Sequence, residues 1–67
     1  NALEQLQDMH DFHRDIKKME IPYIVLLKDN TSSANYIQYL DMCVEEKLFE
    51  MAYENRLIKI YKTLSSQ

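Results

Sequence analysis

Glycine is missing from this chain of 67 residues. Because glycine is the residue that adopts positive φ angles without steric cost, every turn must be made by another residue type. The absence also excludes the glycine-rich loops that bind phosphates and the glycine fingerprint of dinucleotide-binding proteins. We therefore expect helices joined by short polar links rather than β-hairpins, whose tight turns favour glycine.

Cysteine is almost missing as well, since Cys43 is the single one. A disulfide within the chain is therefore excluded, and a lone thiol suits a reducing compartment such as the cytosol or nucleus. The acidic neighbours Asp41, Glu45 and Glu46 would raise the pKa of this thiol. We interpret Cys43 as a small buried apolar residue rather than a nucleophile.

Metal-ligating and catalytic residues are sparse. His10 and His13 stand three residues apart, but two imidazoles do not complete a metal site, and we interpret both as ordinary helix residues. The paired carboxylates Glu45 and Glu46 fit a solvated helix face, because acid–base catalysis needs a water-poor pocket that nothing here indicates. The sequence predicts no enzymatic activity, no metal site and no cofactor.

Strong positive charge is also lacking, with eight Lys and Arg residues against eleven Asp and Glu and a net charge of −3. This balance argues against a general nucleic-acid or membrane-surface binder, since both need a basic surface. No apolar run approaches the length of a membrane span. Asn1 stands where Met would begin a chain, and no leader pattern follows. We interpret residues 1–67 as one domain excised from a longer protein.

Helical periodicity is clearest in residues 2–20. Pro22 lacks an N–H and disfavours helical angles at Ile21, so we expect this helix to end near Glu20. Apolar residues recur in this segment at spacings of three or four: Leu3, Leu6, Met9, Phe12, Ile16 and Met19. This apolar stripe predicts an amphipathic helix.

The apolar run from Tyr23 to Leu27 is ambiguous, because periodicity does not separate a buried strand from a buried helical turn in so short a segment. A strand would need a neighbouring strand to pair its backbone N–H and C=O groups, and none is evident. We therefore favour a short second helix over residues 22–28, beginning at Pro22.

Residues 34–64 contain no proline or glycine, and the polar residues 31–33 before them are suitable N-caps. On a helical wheel, one set of apolar residues, which ends with Met51, shares one face. A second set, which begins with Phe49, shares another face that is turned from the first by more than about 120°. Two interpretations remain open, namely two helices over residues 34–46 and 48–64, or one long helix with two interfaces. We prefer two helices, because one would far exceed the typical length of about 11–12 residues.

The combined prediction is an all-α bundle of three to four helices over residues 2–20, 22–28, 34–46 and 48–64. Hydrophobic residues make up 46% of the chain, which is more apolar surface than so short a chain buries alone. We expect oligomerisation to complete the bundle, with tyrosine and methionine among the contacts. The predicted interface residues are Phe49, Tyr53, Leu57, Ile60, Tyr61, Leu64, Tyr39 and Met42.

Residues 35–40 (NYIQYL) and 57–64 (LIKIYKTL) lie in a C-terminal stretch with a composition rich in Asn, Ser, Tyr, Ile and Lys. In size, expected helical content and this composition, the stretch resembles the C-terminal self-association domain of the yeast repressor-activator-protein-interacting factors, which regulate telomere length. The resemblance implies a nuclear scaffold protein whose terminal helices assemble subunits. It implies no particular site residues, because no motif is shared.

The sequence thus predicts a non-catalytic protein-interaction module of a larger nuclear scaffold or regulatory protein, which assembles with itself into a dimer or tetramer. One alternative is a monomeric adaptor that docks a partner's helix in an apolar groove. Another is a helix-turn-helix-like DNA-binding domain, with Asn55 and Arg56 available for base edges. Nucleic acid and membrane are not expected partners of this fragment, and the expected location is intracellular, in the nucleus rather than the cytoplasm.

Overall fold

The computed structural model describes residues 2–65 as a two-layer arrangement of helices on a small sheet. The strands form one antiparallel sheet in the order β1-β3-β2, so the last strand of the chain is the central one. The elements in chain order are α1 (Ala2–Lys18), β1 (Tyr23–Leu27), α2 (Ser33–Glu45), β2 (Phe49–Glu54) and β3 (Ile58–Thr63).

The prediction of an all-α bundle is wrong, because three of the five elements are strands. The segments predicted as helices over residues 2–20 and 34–46 correspond to α1 and α2. The segment predicted as a short helix over residues 22–28 is β1, and the one over residues 48–64 is the β2–β3 hairpin. The chain after Glu45 is therefore neither a second helix nor the end of one long helix.

The strand β1 was mistaken for a helix because its partner lies far along the chain. Tyr23 stands opposite Lys62 and Leu27 opposite Ile58, so β3 pairs with β1 along its whole length. The ladder continues beyond both ends, where Thr63 N donates to Pro22 O at 2.9 Å and Lys28 N to Leu57 O at 2.7 Å. A pairing of such sequence separation leaves no local signature.

The β2–β3 hairpin matched a helical pattern because its apolar residues recur every three or four positions. Six of the twelve residues in its two strands are phenylalanine, tyrosine, isoleucine or threonine, however, and these residues favour strands. Asn55 forms the turn without glycine, since its Oδ1 accepts hydrogen bonds from Leu57 N at 2.8 Å and Ile58 N at 2.9 Å. Asparagine side chains commonly replace a backbone acceptor in such turns.

Both helices end in the left-handed residue that glycine usually supplies. Glu20 after α1 and Lys47 after α2 have φ angles of 57° and 64°. After α2, Leu48 N donates to Cys43 O at 3.0 Å and Lys47 N donates to Val44 O at 3.0 Å. These are the two hydrogen bonds of the Schellman motif, which satisfies the last carbonyl groups of a helix.

This C-terminal geometry predicts that Lys47→Gly stabilises the protein by about 0.5–1 kcal/mol. Relief of the left-handed strain gains about 1–2 kcal/mol, from which the greater flexibility of glycine in the unfolded chain subtracts part. Urea denaturation followed by circular dichroism measures the change. Gln38→Gly, at an exposed position inside α2, is the control and should destabilise by about 1 kcal/mol. Destabilisation by both variants would contradict the strain assigned to Lys47.

The core lies between the two helices and the inner face of the sheet. The most deeply buried large side chains are Tyr61 of β3 and Phe49 of β2, with Cys43 of α2 between the layers. Phe49 packs against the rings of Phe12 and His13 of α1, with centroid distances of 5.8 and 5.4 Å. Aromatic pairs at these distances add stabilisation beyond the area they bury.

Candidate protein-interaction site

The strand β1 is apolar on both faces of the sheet. Its side chains alternate between half-buried and exposed, with Ile24 and Leu26 directed to the core and Tyr23, Val25 and Leu27 directed away from it. An antiparallel sheet with one face in water normally alternates apolar and polar residues along each strand. The sequence of β1 departs from this pattern on the face that no helix covers.

Two neighbouring strands extend this apolar surface, which we call the outer face. Residues directly opposite each other on paired antiparallel strands lie on the same face of a sheet. Val25 stands opposite Ile60, and Ile60 stands opposite Tyr53. A row of three apolar side chains therefore crosses the sheet, and Leu27 with Ile58 forms the next row. The outer face consists of Tyr23, Val25, Leu27, Tyr53, Ile58 and Ile60.

A β-bulge places Tyr53 on the outer face. Met51 pairs with Tyr61 on the inner face, and residues 51 and 53 would share a face in a regular strand. The register shifts between them, so that Tyr53 pairs with Ile60 instead. Bulges commonly redirect side chains in this way. The irregularity thus enlarges the uncovered apolar surface rather than the core.

Five of the nine exposed large apolar side chains of residues 2–65 lie on or beside the outer face. Val25 is 56% exposed and Tyr53 is 51% exposed, although both belong to the sheet. Four of the nine large apolar side chains that are exposed lie on the outer face, and a fifth, Leu57, is at the hairpin tip beside it. Scattered apolar residues on a surface are ordinary, whereas a contiguous patch of them marks an interaction site.

Polar contacts hold the hairpin tip in place next to the outer face. The Lys28 ammonium group donates to Glu54 Oε2 and to the Asn55 carbonyl, both at 2.8 Å. This ion pair lowers the pKa of the Glu54 carboxyl group below its usual range. Asn55 Nδ2 donates to the hydroxyl of Tyr53 at 3.2 Å. These contacts fix the position of Tyr53 and of the exposed Leu57.

The charges of the two residues that border one end of the outer face sum to zero. Glu50 of β2 and Lys62 of β3 are both exposed and stand opposite each other in the register, in the row that also contains Tyr23. The rows of Val25 and Leu27 contain apolar side chains alone. The outer face is therefore a neutral surface that has no electrostatic preference for a strongly charged partner.

A partly buried polar cluster links α2 to the centre of the sheet. The Lys59 ammonium group donates to the Asp41 carboxylate at 3.0 and 3.2 Å, and the Tyr61 hydroxyl donates to Asp41 Oδ1 at 2.7 Å. Burial and then the hydrogen bond to Asp41 raise the pKa of the Tyr61 hydroxyl above its usual range. Every polar group of the cluster has a partner, so the arrangement fits a structural link between layers better than a reactive site.

The two histidines point in different directions. His13 is buried, and its Nε2–H donates to the carbonyl oxygen of Leu64 at 2.7 Å, whereas His10 is exposed on α1.

Burial raises the pKa of the Cys43 thiol to about 11, and the charges of Asp8 and Glu46 add to the shift. The thiol is therefore protonated at neutral pH. Within residues 2–65, no three His, Cys, Asp or Glu side chains are grouped as metal ligands.

The structure separates the predicted interface residues into three groups. Phe49 and Tyr61 are in the core, with exposed fractions of 1% and 0%, so the folded chain offers a partner none of their side-chain surface. Tyr39 and Met42 are half-buried on α2, and Leu64 is half-buried where the chain follows β3. The remaining three predicted residues lie on or beside the outer face: Tyr53, Leu57 and Ile60.

Sequence reasoning missed the contribution of β1 to this surface. Tyr23, Val25 and Leu27 were interpreted as buried, because a run of five apolar residues suggests burial on all sides. Two features of the sequence together could have identified them. The run is apolar on both faces of a strand, and the rest of the chain has too few apolar segments to cover both faces.

Comparison with protein-family models, curated proteins and solved structures finds no match for this chain. Neither of the two described helices is long and apolar enough to cross a membrane.

Proposed function

We propose that this chain is a non-catalytic homodimerisation module, in which the outer face of the sheet packs against the same face of a second copy. The observation that carries the proposal is the row of Val25, Ile60 and Tyr53, which crosses all three strands and is left uncovered by both helices. Sheets that pack face to face bury such rows against each other at a spacing of about 10 Å.

A second copy is the partner that fits the charge of the outer face. Symmetric contacts bring identical patches together, so a patch with net charge would repel its own copy. The charged neighbours at the end of the outer face are one acidic and one basic residue, Glu50 and Lys62, and the other rows are apolar. A stable interface buries about 800 Å² on each partner. The chain exposes 4941 Å² in total, so a dimer would cover about a sixth of its surface.

The charge distribution favours this function over DNA binding. The helix α2 contains no lysine or arginine, so it has no basic side chain with which to contact phosphates. Lys28 and Lys59 are engaged by Glu54 and Asp41. A nuclear location and a scaffold role at telomeres stay predictions, drawn from the resemblance of the C-terminal residues alone.

Surface labelling of tyrosines tests the proposed interface. Tyr23 and Tyr53 on the outer face are each 51% exposed, and Tyr36 on α2 is 63% exposed, so all three should react with hydroxyl radicals in a dilute monomer. As the concentration rises from about 1 μM to about 1 mM, mass spectrometry should find Tyr23 and Tyr53 protected severalfold, while Tyr36 reacts as before. Equal labelling of the three residues at every concentration would contradict the proposal.

A further inference from the structure

A groove of about 600 Å³ opens between the two helices, on the side of the sheet opposite to the outer face. Ile24 and Leu26 of β1 form its floor. Phe12 of α1 and Tyr39 of α2 form part of its walls, with their rings in edge contact at a centroid distance of 5.5 Å, and the exposed ring of Tyr36 stands beside them. The volume lies within the range of about 300–1,000 Å³ that is usual for binding pockets.

Carboxylates line one side of this apolar groove. Asp8, Asp11 and Asp15 all border it from α1, and their spacing of three and four residues places them along one face of the helix. Within residues 2–65, Arg14 is the cation that contacts this row, at 3.2 Å from Asp11 and 3.6 Å from Asp15. One arginine against three carboxylates leaves the row with a net negative charge. The groove residues from β1 and α2 are uncharged.

We propose that this groove binds a basic amphipathic helix of another protein. Its apolar floor and aromatic walls suit leucine-like or aromatic side chains that recur every three to four residues on one face of a helix. The row from Asp8 to Asp15 extends over about 10 Å at a rise of 1.5 Å per residue. Lysine or arginine residues at matching spacing on one flank of the partner helix would lie beside it.

A second copy of this chain does not fit the groove. A symmetric contact through it would bring the aspartate rows of both copies together, because such contacts juxtapose identical patches. The same reasoning favours the neutral outer face for self-association and the acidic groove for a partner of opposite charge. The two surfaces lie on opposite sides of the sheet, so one chain can use both at once.

A designed peptide tests this inference. The probe is a fluorescently labelled helix of about 18 residues, built from leucine on one face and lysine on its flank. Anisotropy titrations are performed with the Val25→Lys variant, so that binding does not depend on the outer face. We expect saturable binding that weakens about tenfold or more when Asp8, Asp11 and Asp15 are all changed to asparagine, because their charges are lost while their size is kept.

Matched controls separate groove binding from general charge attraction. The variant with Glu20, Glu45 and Glu46 changed to glutamine loses the same number of charges outside both proposed surfaces and should bind the peptide within about twofold of the parent. A peptide of the same composition with a scrambled order should bind at least about tenfold more weakly, because it lacks the apolar stripe. Equal weakening by both triple variants, or equal affinity for the scrambled peptide, would overturn the inference.

Nuclear magnetic resonance provides a readout that does not depend on charge variants. Peptide addition should shift the backbone amide signals of Leu26 and Tyr36, which border the groove, and leave that of Tyr53 unchanged. Shifts centred on Tyr53 would overturn the inference, because they would place the peptide on the outer face. The native mass of the chain in which only Asp8, Asp11 and Asp15 are changed to asparagine should equal that of the unmodified chain. A different mass would also overturn the inference, because a second copy would then occupy the groove.

Discussion

Phe49→Ala is expected to unfold most of the protein at 25 °C. The Phe49 side chain extends from β2 toward α1, is 1% exposed and packs against the rings of Phe12 and His13. Truncating a buried phenylalanine to alanine costs about 3–5 kcal/mol, through lost burial and the cavity left behind. A domain of this size has about 3–5 kcal/mol of stability from its core. The loss therefore equals the whole stability of the folded chain.

The measurement is urea denaturation followed by circular dichroism at one fixed chain concentration. A fixed concentration is needed because the proposed dimerisation would add to the apparent stability by mass action. Tyr36→Ala is the control, since the Tyr36 ring is of similar size but 63% exposed, and it should cost less than about 1 kcal/mol. A loss below about 1 kcal/mol for Phe49→Ala would show that the core does not centre on this residue.

Val25→Lys is expected to convert the proposed dimer into a folded monomer. Val25 lies on the outer face and is 56% exposed in the single chain, so a lysine there reaches water and costs the monomer less than about 1 kcal/mol in strand propensity. In the proposed dimer, two ammonium groups would enter one interface without partners. An unpaired charge in an interface costs several kcal/mol, so the dissociation constant should rise roughly a hundredfold or more.

Gln38→Lys is the matched control for this variant, because it adds the same charge at an exposed position of α2. Sedimentation equilibrium should find Gln38→Lys associated as tightly as the parent chain and Val25→Lys monomeric at the same concentration. Circular dichroism should show that both variants remain folded. Unchanged association of Val25→Lys would exclude the outer face as the contact surface.

The helices were predictable from sequence because their determinants are local. In α1 the apolar spacing is helical, and Pro22 follows soon after its end; in α2 the polar residues 31–33 precede a run of helix-compatible residues. The strands were not predictable in the same way, because the pairing of β1 with β3 joins residues as far apart as Tyr23 and Lys62. A chain without glycine also concealed its hairpin turn, which depends on the side chain of Asn55.

The candidate site was predicted in part for the same reason. A surplus of apolar side chains over what a short chain buries is a property of composition, and it predicts that some apolar surface stays exposed. Assigning that surface to residues requires the sheet register, since Tyr53 and Ile60 form one row only when β2 pairs with β3. Lys59 illustrates the difficulty, because it alternates with isoleucines and yet is the side chain directed inward, where Asp41 neutralises it.

The native mass of the unmodified chain is the most direct test of self-association through the outer face. Sedimentation equilibrium from about 1 μM to about 1 mM covers the range in which a dimer of this size would form. The proposal predicts a mass that rises from 8.1 kDa to twice that value and then stays constant, as a closed two-fold contact requires. A mass of 8.1 kDa at every concentration would contradict it.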